Sequence, residues 1–280
     1  MHADGGLDFS AWTRLIDFHV ANGTSGIVVG GTTGESATLA DAELRELTER
    51  ACAQAKGRIQ VIAGAGTSST ATTVARVGWV SQLPVDGVLV VTPAYNRPSQ
   101  EGLFRHYQAA AAASRVPLIA YNVPSRTAVD MLPATVARIA QLPRVAAVKE
   151  AVASVARVRE ILDLAPPTFG VLSGDDASAR EMVLAGARGV ISVTANVAPR
   201  AMADMIAAAL RGDEAGARRL DAGLAALHEA LFLEANPIPA KWALARMGLM
   251  DAGLRLPLTE LAPQFQPAVE RALRQAGALP

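Results

Sequence analysis

Residues 87–121 read GVLVVTPAYNRPSQEGLFRHYQAAAAASRVPLIAY. Two short apolar runs, Gly87-Val-Leu-Val-Val91 and Pro117-Leu-Ile-Ala-Tyr121, enclose a Pro/Asn/Arg turn and a helical pattern over 99–114. Runs this short, rich in apolar side chains and bounded by Gly or Pro, read as buried strands. A strand, a helix and a second strand in that order predict a parallel βαβ unit.

The same unit recurs outward in both directions. Further runs are Ile27-Val-Val29, Gln60-Val-Ile-Ala63, Val145-Ala-Ala-Val-Lys149, Thr168-Phe-Gly-Val-Leu172 and Gly189-Val-Ile-Ser-Val193. Helical patterns cover 10–22, 41–56, 69–82, 133–141, 154–164 and 178–185, several opening on Ser, Asp or Pro as helix starts do. After Val193 the strands stop, and helices are expected over 199–211, 213–235, 239–247 and 263–276. The expected fold is α/β: a (β/α)8 TIM barrel over 1–212 with a C-terminal helical extension over 213–280. Only seven strands are legible, and residues 1–9 are too polar and glycine-rich to supply the eighth. The expectation is that the first barrel strand is missing from this chain and that Met1 is internal to the loop after it. An upstream reading frame without a short apolar strand would contradict that.

Composition narrows the function. The formal net charge is +0, and no basic patch interleaved with aromatics appears, which argues against nucleic-acid binding. No apolar run is long enough to span a bilayer, and no signal peptide opens the chain. A single cysteine, Cys52, fits a reducing, cytoplasmic setting and reads as a packing residue. His2, His19, His106 and His228 show no metal-ligand spacing, and His106 is expected on a solvated helix face. Asp175-Asp176 reads as a helix-capping pair, and Gly64-Ala-Gly66 as turn chemistry.

Lysine is the informative residue type. The chain holds three lysines against 23 arginines, yet Lys149 ends an apolar strand. Desolvation there would lower its pKa and supply a neutral amine that attacks carbonyls, which arginine cannot do. Read alone, it is equally a strand-end lysine reaching water. Its company is polar: Gly30-Gly-Thr-Thr-Gly-Glu-Ser36, Tyr95, Tyr121 and Arg126 also follow strand C-termini, the end where such barrels keep their active sites. With residues 145, 147 and 149 on one strand face, Tyr121 can approach Lys149 and move protons. The Gly31-Thr32-Thr33 backbone could hold one carboxylate and Arg126 a second. The substrates so implied are a 2-oxo acid and a partner bearing another carboxylate.

These segments carry a resemblance that covers essentially the whole chain. GTTGES (31–36), VTPAYNRPSQEG (91–102), YNVPSRT (121–127), VKEA (148–151), LSGDDAS (172–178), GVISVTAN (189–196) and NPIPAKWAL (236–244) are similar to those of the dihydrodipicolinate synthase family. The resemblance implies a lyase of the class I aldolase type in lysine and diaminopimelate synthesis. It would condense pyruvate with L-aspartate 4-semialdehyde through a Schiff base on Lys149. Tyr121 would exchange protons, linked through Thr33 to Tyr95 of a neighbouring subunit. Thr32 and Thr33 would bind pyruvate, with Ile191 and Gly174 at the substrate and Arg126 on the aldehyde's carboxylate. No metal or organic cofactor is implied, and a homotetramer is. Some members carry a lysine-feedback pocket. Here Asp41 and Leu44 replace its histidines, Ser68 and Thr72 an Asn and a Glu, and Ala94 a Tyr, so weak or absent lysine inhibition is expected. An aldolase with another aldehyde partner, and a non-catalytic ligand-binding homologue, are the alternatives that the residues leave open.

Overall fold

A computed structural model describes residues 1–279. Six parallel strands pair strictly in sequence order: β1 (Gly26–Val29), β2 (Gln60–Gly64), β3 (Gly87–Val91), β4 (Leu118–Asn122), β5 (Val145–Glu150) and β6 (Gly170–Ser173). Between them run α1 (Phe9–Ala21) ahead of β1, then α2 (Asp41–Ala55), α3 (Thr70–Val80), α4 (Gln100–Ala113), the single turn α5 (Pro124–Thr127), α6 (Pro133–Ile139) and α7 (Val155–Leu164). After β6 come α8 (Ala179–Leu184), α9 (Pro199–Leu210), α10 (Glu214–Ala230), α11 (Ile238–Arg246) and α12 (Gln266–Gln275). Of the Ser and Asp helix starts read from the sequence, Ser69, Ser99, Ser154 and Asp213 cap their helices, whereas Ser10 and Asp41 lie inside theirs and Ser178 makes no cap bond. Ser69, Ser99 and Ser154 accept from the third backbone N–H of α3, α4 and α7, and Asp8 and Asp213 do the same for α1 and α10. Each such cap contributes about 1 kcal/mol.

The sheet is curled, and alternation along each strand separates two cores. Outward residues such as Val88, Val90, Leu118, Ala120 and Val148 pack under the helices in the main core. Inward residues Leu89, Ile119, Tyr121, Val123 and Ala147 form a second cluster, joined by Val28, Ile62, Val91, Leu172 and Ile191. Three departures from the sequence reading have physical causes. A bulge between β4 and β5 moves the register from Leu118↔Val145 to Ile119↔Ala147, so Val145 joins the outer core and only Ala147 and Lys149 share the inner face. The run 189–193 forms one isolated bridge, Ser173↔Val190, instead of a strand. It is bonded to β6 through Ser173 N to Gly189 O and Ile191 N to Ser173 O, with no ladder on its other side among the described residues. The helix expected to reach residue 235 ends at Ala230, where a turn leads into Pro237 and α11.

A further core cluster joins α9 to the C-terminal helices: Met202 and Met205 meet Leu224, Leu227, Ala243, Val269 and Leu273. It holds the C-terminal segment against the sheet's polar end, where Asn236 and Lys241 reach the loop after β1.

Candidate functional site

β4 and β5 set the centre of the site. Their register pairs Tyr121 directly with Lys149, both on the inner face, and the Lys149 Nζ lies 4.2 Å from the Tyr121 ring centroid. An ammonium there gains from the ring's negative face, while the apolar neighbours strip its water. Burial brings Lys149 down to about 8; the Asp176 carboxylate opposes that and the Arg126 charge adds to it. Burial likewise pushes the Tyr121 hydroxyl above the ordinary phenol value, against the Arg126 charge and a hydrogen bond with Thr32.

The remaining candidates surround this pair. Gly174 packs over Lys149: a Cβ there would lie 3.0 Å from Lys149 Cε and 2.9 Å from Ala151 Cβ, so a side chain is excluded. Its N–H donates to the Glu150 carbonyl at 2.7 Å, fixing the loop after β6 to β5. Ile191 joins the inner apolar cluster that contains Tyr121. Thr32 and Thr33 form a single 3-10 turn with Gly34, closed by Glu35 in the left-handed conformation at φ 56°. Thr33 turns toward the C-terminal segment, its Oγ1 accepting from Asn236 Nδ2 at 3.0 Å. Arg126, on α5, is exposed and donates through Nη2 to the Asn236 carbonyl at 3.3 Å.

Tyr95 stands apart. It is 95% exposed, with φ 74°, a conformation that costs a non-glycine residue free energy. Within one protomer it meets neither Thr33 nor Tyr121. The third tyrosine, Tyr107, is buried with its hydroxyl on the Val90 carbonyl at 2.9 Å, which removes it from the chemistry.

Several supporting residues carried no sequence signal. Behind the sheet, fully buried Glu150 accepts from Asn122 Nδ2 at 3.1 Å and from Arg157 Nε at 2.9 Å. Arg157 also forks onto Asp130 at 2.7 and 3.0 Å, and the Asn122 amide reaches Asp130 at 2.8 Å. Asn122 and Glu150 each follow a central residue, Tyr121 and Lys149, so this network clamps the two strand ends from outside. Asp176, expected as a helix cap, instead accepts the N–H groups of Val193 and Thr194 at 2.9 and 2.8 Å and ties down the Ile191 run, while Asp175 takes the Ser178 N–H. The second oxygen of Asp176 is buried without a partner. Glu35 is buried in an ion pair with Lys241 and accepts the Arg255 N–H at 2.9 Å. His106 is buried, not solvated: its Nδ1 meets Thr70 Oγ1 at 3.0 Å, and burial brings it down to about 4. Among the described residues, one grouping has metal-ligand spacing, His2 with Asp8 and Asp251, and it includes none of the residues above.

Comparison with known proteins gives a consistent set of relatives. The model of the dihydrodipicolinate synthetase family matches residues 1–276. A 4-hydroxy-tetrahydrodipicolinate synthase of Methylococcus capsulatus is 52% identical over 279 residues, covering 100% of this chain and 96% of the relative. One of Pseudomonas aeruginosa is 50% identical over 277 residues, 99% of this chain and 95% of the relative. Among solved structures, a chloride-inhibited dihydrodipicolinate synthase from Acinetobacter baumannii complexed with pyruvate superposes with TM-score 0.98 at 44% identity, covering 100% of this chain and 96% of that one.

Proposed function

This chain belongs to the dihydrodipicolinate synthetase family, and on that premise we propose that it is a 4-hydroxy-tetrahydrodipicolinate synthase, condensing pyruvate with L-aspartate 4-semialdehyde on Lys149. The observation that carries the reading is the Tyr121–Lys149 register pair, with the amine 4.2 Å from the ring and its pKa brought down to about 8. A lysine at that value keeps roughly a tenth of its molecules neutral at pH 7. The polarisable partner beside it is a phenol rather than a carboxylate, which suits repeated donation and recovery of one proton.

The chemistry follows from the geometry. The neutral Lys149 amine attacks C2 of pyruvate, and Tyr121 supplies a proton to the developing alkoxide. Loss of water from the carbinolamine leaves an iminium, and removal of a C3 proton gives the enamine. The enamine carbon attacks the aldehyde of the second substrate, whose carboxylate Arg126 receives as a bidentate pair. The substrate's own amino group then adds to the iminium carbon, closing the ring and releasing Lys149 as the amine. Thr32 and Thr33 receive the pyruvate carboxylate, Gly174 leaves clearance over Lys149, and Ile191 forms the apolar wall. The iminium is the electron sink throughout.

In this reading Tyr95 of a neighbouring subunit, in a cytoplasmic homotetramer, completes a relay to Tyr121; the threonine that hydrogen-bonds Tyr121 is Thr32, whereas Thr33, expected in that place, is bonded to Asn236. The exposure and left-handed backbone of Tyr95 support a role outside its own protomer. One relative at 40% identity is described as a monomeric variant, so assembly is a property to be measured for this chain. The curled sheet is read as a (β/α)8 barrel, in which β1 and the Val190 run flank one further strand position, with 213–280 as the helical extension. Lysine inhibition is expected to be weak, since Asp41 is held by Arg76 at 2.6 Å beside Leu44; inhibition at sub-millimolar lysine would contradict this. Borohydride reduction with pyruvate, followed by peptide mapping, tests the core of the reading. The expected result is a stable adduct on Lys149, then ring formation when the aldehyde replaces borohydride. No adduct, or an adduct elsewhere, would refute it.

A further inference from the structure

The loop after β6 carries a carboxylate whose charge its hydrogen bonds do not require. Register pairs Lys149 with Leu172 and Glu150 with Ser173, so the turn 173–176 leaves the sheet beside Lys149. Gly174 seats that turn close against Lys149 Cε, and its N–H donates to the Glu150 carbonyl at 2.7 Å. Asp176 follows two residues later and is 3% exposed. Its Oδ2 accepts the Val193 and Thr194 N–H groups at 2.9 and 2.8 Å. Its Oδ1 is buried with no hydrogen-bond partner among the described residues.

The clip on Val193 and Thr194 does not explain the charge. A carboxamide oxygen accepts the same two N–H groups, and burying an unpaired carboxylate is unfavourable. The neighbouring carboxylates are engaged elsewhere: Asp175 with the Ser178 N–H and hydroxyl, Glu150 with Asn122 and Arg157. The titratable and charged groups that act on Lys149 are Tyr121 on β4, Arg126 on α5 and Asp176 after β6, and Asp176 opposes both burial and the Arg126 charge. On the far side of Asp176, His228 reaches Thr194 Oγ1 at 2.8 Å and faces Asp221.

Condensation changes what Lys149 needs. The amine must be neutral to attack C2 of pyruvate. Attack, with one proton given by Tyr121 to oxygen and one recovered from nitrogen, yields a neutral carbinolamine. Its hydroxyl leaves as water with a second proton from Tyr121, and the nitrogen lone pair closes the C=N bond. The product is an iminium that keeps one N–H and the positive charge. Loss of a C3 proton then moves the C–H pair into a C2=C3 bond and the C=N pair onto nitrogen, giving a neutral enamine. An iminium that loses its N–H proton first becomes a neutral imine, a far weaker sink. Burial favours that loss, as it favours the neutral amine.

We propose that Asp176 is the counter-ion of the Lys149 iminium: its unpartnered oxygen leaves negative charge on the turn that packs over the lysine and so keeps the electron sink protonated. The proposal rests on the synthase reading above.

The test uses the full-length protein with pyruvate alone, which leaves out the aldehyde. Quenching into mildly acidic cyanoborohydride counts the imine in either protonation state. Exchange of the pyruvate methyl hydrogens in deuterium oxide, followed by proton NMR, counts passage through the enamine. Exchange per imine should fall as pH rises and the iminium loses its proton. In D176N and D176A the midpoint of that fall should lie at least about one pH unit below wild type, the least effect of one opposite charge on a nearby cation. An Asp176 that only clips the 193–194 run predicts an unmoved midpoint in D176N, which keeps the clip, and that result would overturn the inference. If the variants do not fold, wild type with isotope-labelled lysine decides alone. Its imine nitrogen should resonate as a protonated iminium at about pH 8, where half of the free Lys149 is neutral; a neutral imine there overturns the inference. A wild type that forms no imine overturns the synthase reading and this inference with it. A wild type that forms the imine beside an unmoved D176N overturns the inference only.

Discussion

The pH at which Lys149 becomes a nucleophile is a direct readout of its environment. With a pKa near 8, about 9% of molecules carry the neutral amine at pH 7, about 50% at pH 8 and about 91% at pH 9. An ordinary lysine near 10.4 would be neutral in about one molecule in 2,500 at pH 7. The two cases differ in shape as well as size. The rate of imine trapping with saturating pyruvate should rise about tenfold between pH 7 and 9 and then level off. An unperturbed lysine would give about a hundredfold rise over the same interval, still climbing at pH 10. Neighbouring charges move the bend in opposite directions. Arg126 lowers the lysine pKa and Asp176 raises it, so Arg126→Ala should shift the bend to higher pH and Asp176→Asn to lower pH. The assay is quenched-flow trapping with borohydride, quantified by intact mass at each pH. A rate that climbs log-linearly through pH 10, or bends that move the other way in the two variants, would refute the argument that burial activates this amine.

The same burial has a cost in stability. Because the folded-state value lies below the unfolded one, the unfolded chain binds the proton more tightly between about pH 8 and 10.4, and stability rises with pH across that window. Lys149→Met should therefore melt higher than wild type below pH 8 and converge with it above about pH 10.4; the gain is about 1–3 kcal/mol once solvent access is allowed for. Tyr121→Phe keeps the ring over Nζ and removes the hydroxyl, so imine formation should fall by roughly 10²–10⁴ with an unchanged melting temperature, and a wild-type rate would exclude Tyr121 as proton carrier. Arg126→Ala should raise the KM for aspartate semialdehyde far more than that for pyruvate; equal effects on both would remove its assigned role. Glu150→Leu leaves the Asn122 amide and the Val152 N–H without their carboxylate while Arg157 keeps Asp130, and urea unfolding should show a loss of about 1–3 kcal/mol.

The readable part of this protein was the part written locally. Strand after strand is bounded by its own Gly, Pro or Asp and alternates over a few residues, so β2 to β6 and their inner and outer faces follow from neighbours in sequence. Tyr121 and Lys149 were predictable as a pair for that reason, since both end short apolar runs in consecutive βα units. What escaped is non-local. The bulge that turns Val145 outward comes from pairing with Leu118, and nothing in Val145-Ala-Ala-Val148 announces it. The run 189–193 has the composition of a strand, but it meets β6 only at the strand's last residue, Ser173, and so forms a single bridge. His106 looked solvated because Glu101 and Arg105 stand beside it in sequence, while in space Thr70 covers it.

The supporting side chains show the same limit more sharply. Thr33 and Asn236 are separated by 203 residues and Glu35 and Lys241 by 206, so no periodicity links them. The sequence reading singled out Lys149 alone, although Lys241 is also one of three lysines in a chain that otherwise uses arginine. That preference has a geometric reason at this position. Lys241 meets one carboxylate oxygen in a narrow buried contact, which a compact ammonium can enter, whereas the planar guanidinium fork requires a broad bidentate face. Arg157 and Arg255, by contrast, each fork across a carboxylate, on Asp130 and Glu43. Two of the three lysines thus stand where an arginine is chemically or sterically unsuitable. One is the nucleophile, and the other anchors the helix behind Asn236, so the extension that looked like an appendage in the sequence is joined to the loop that carries Thr32 and Thr33.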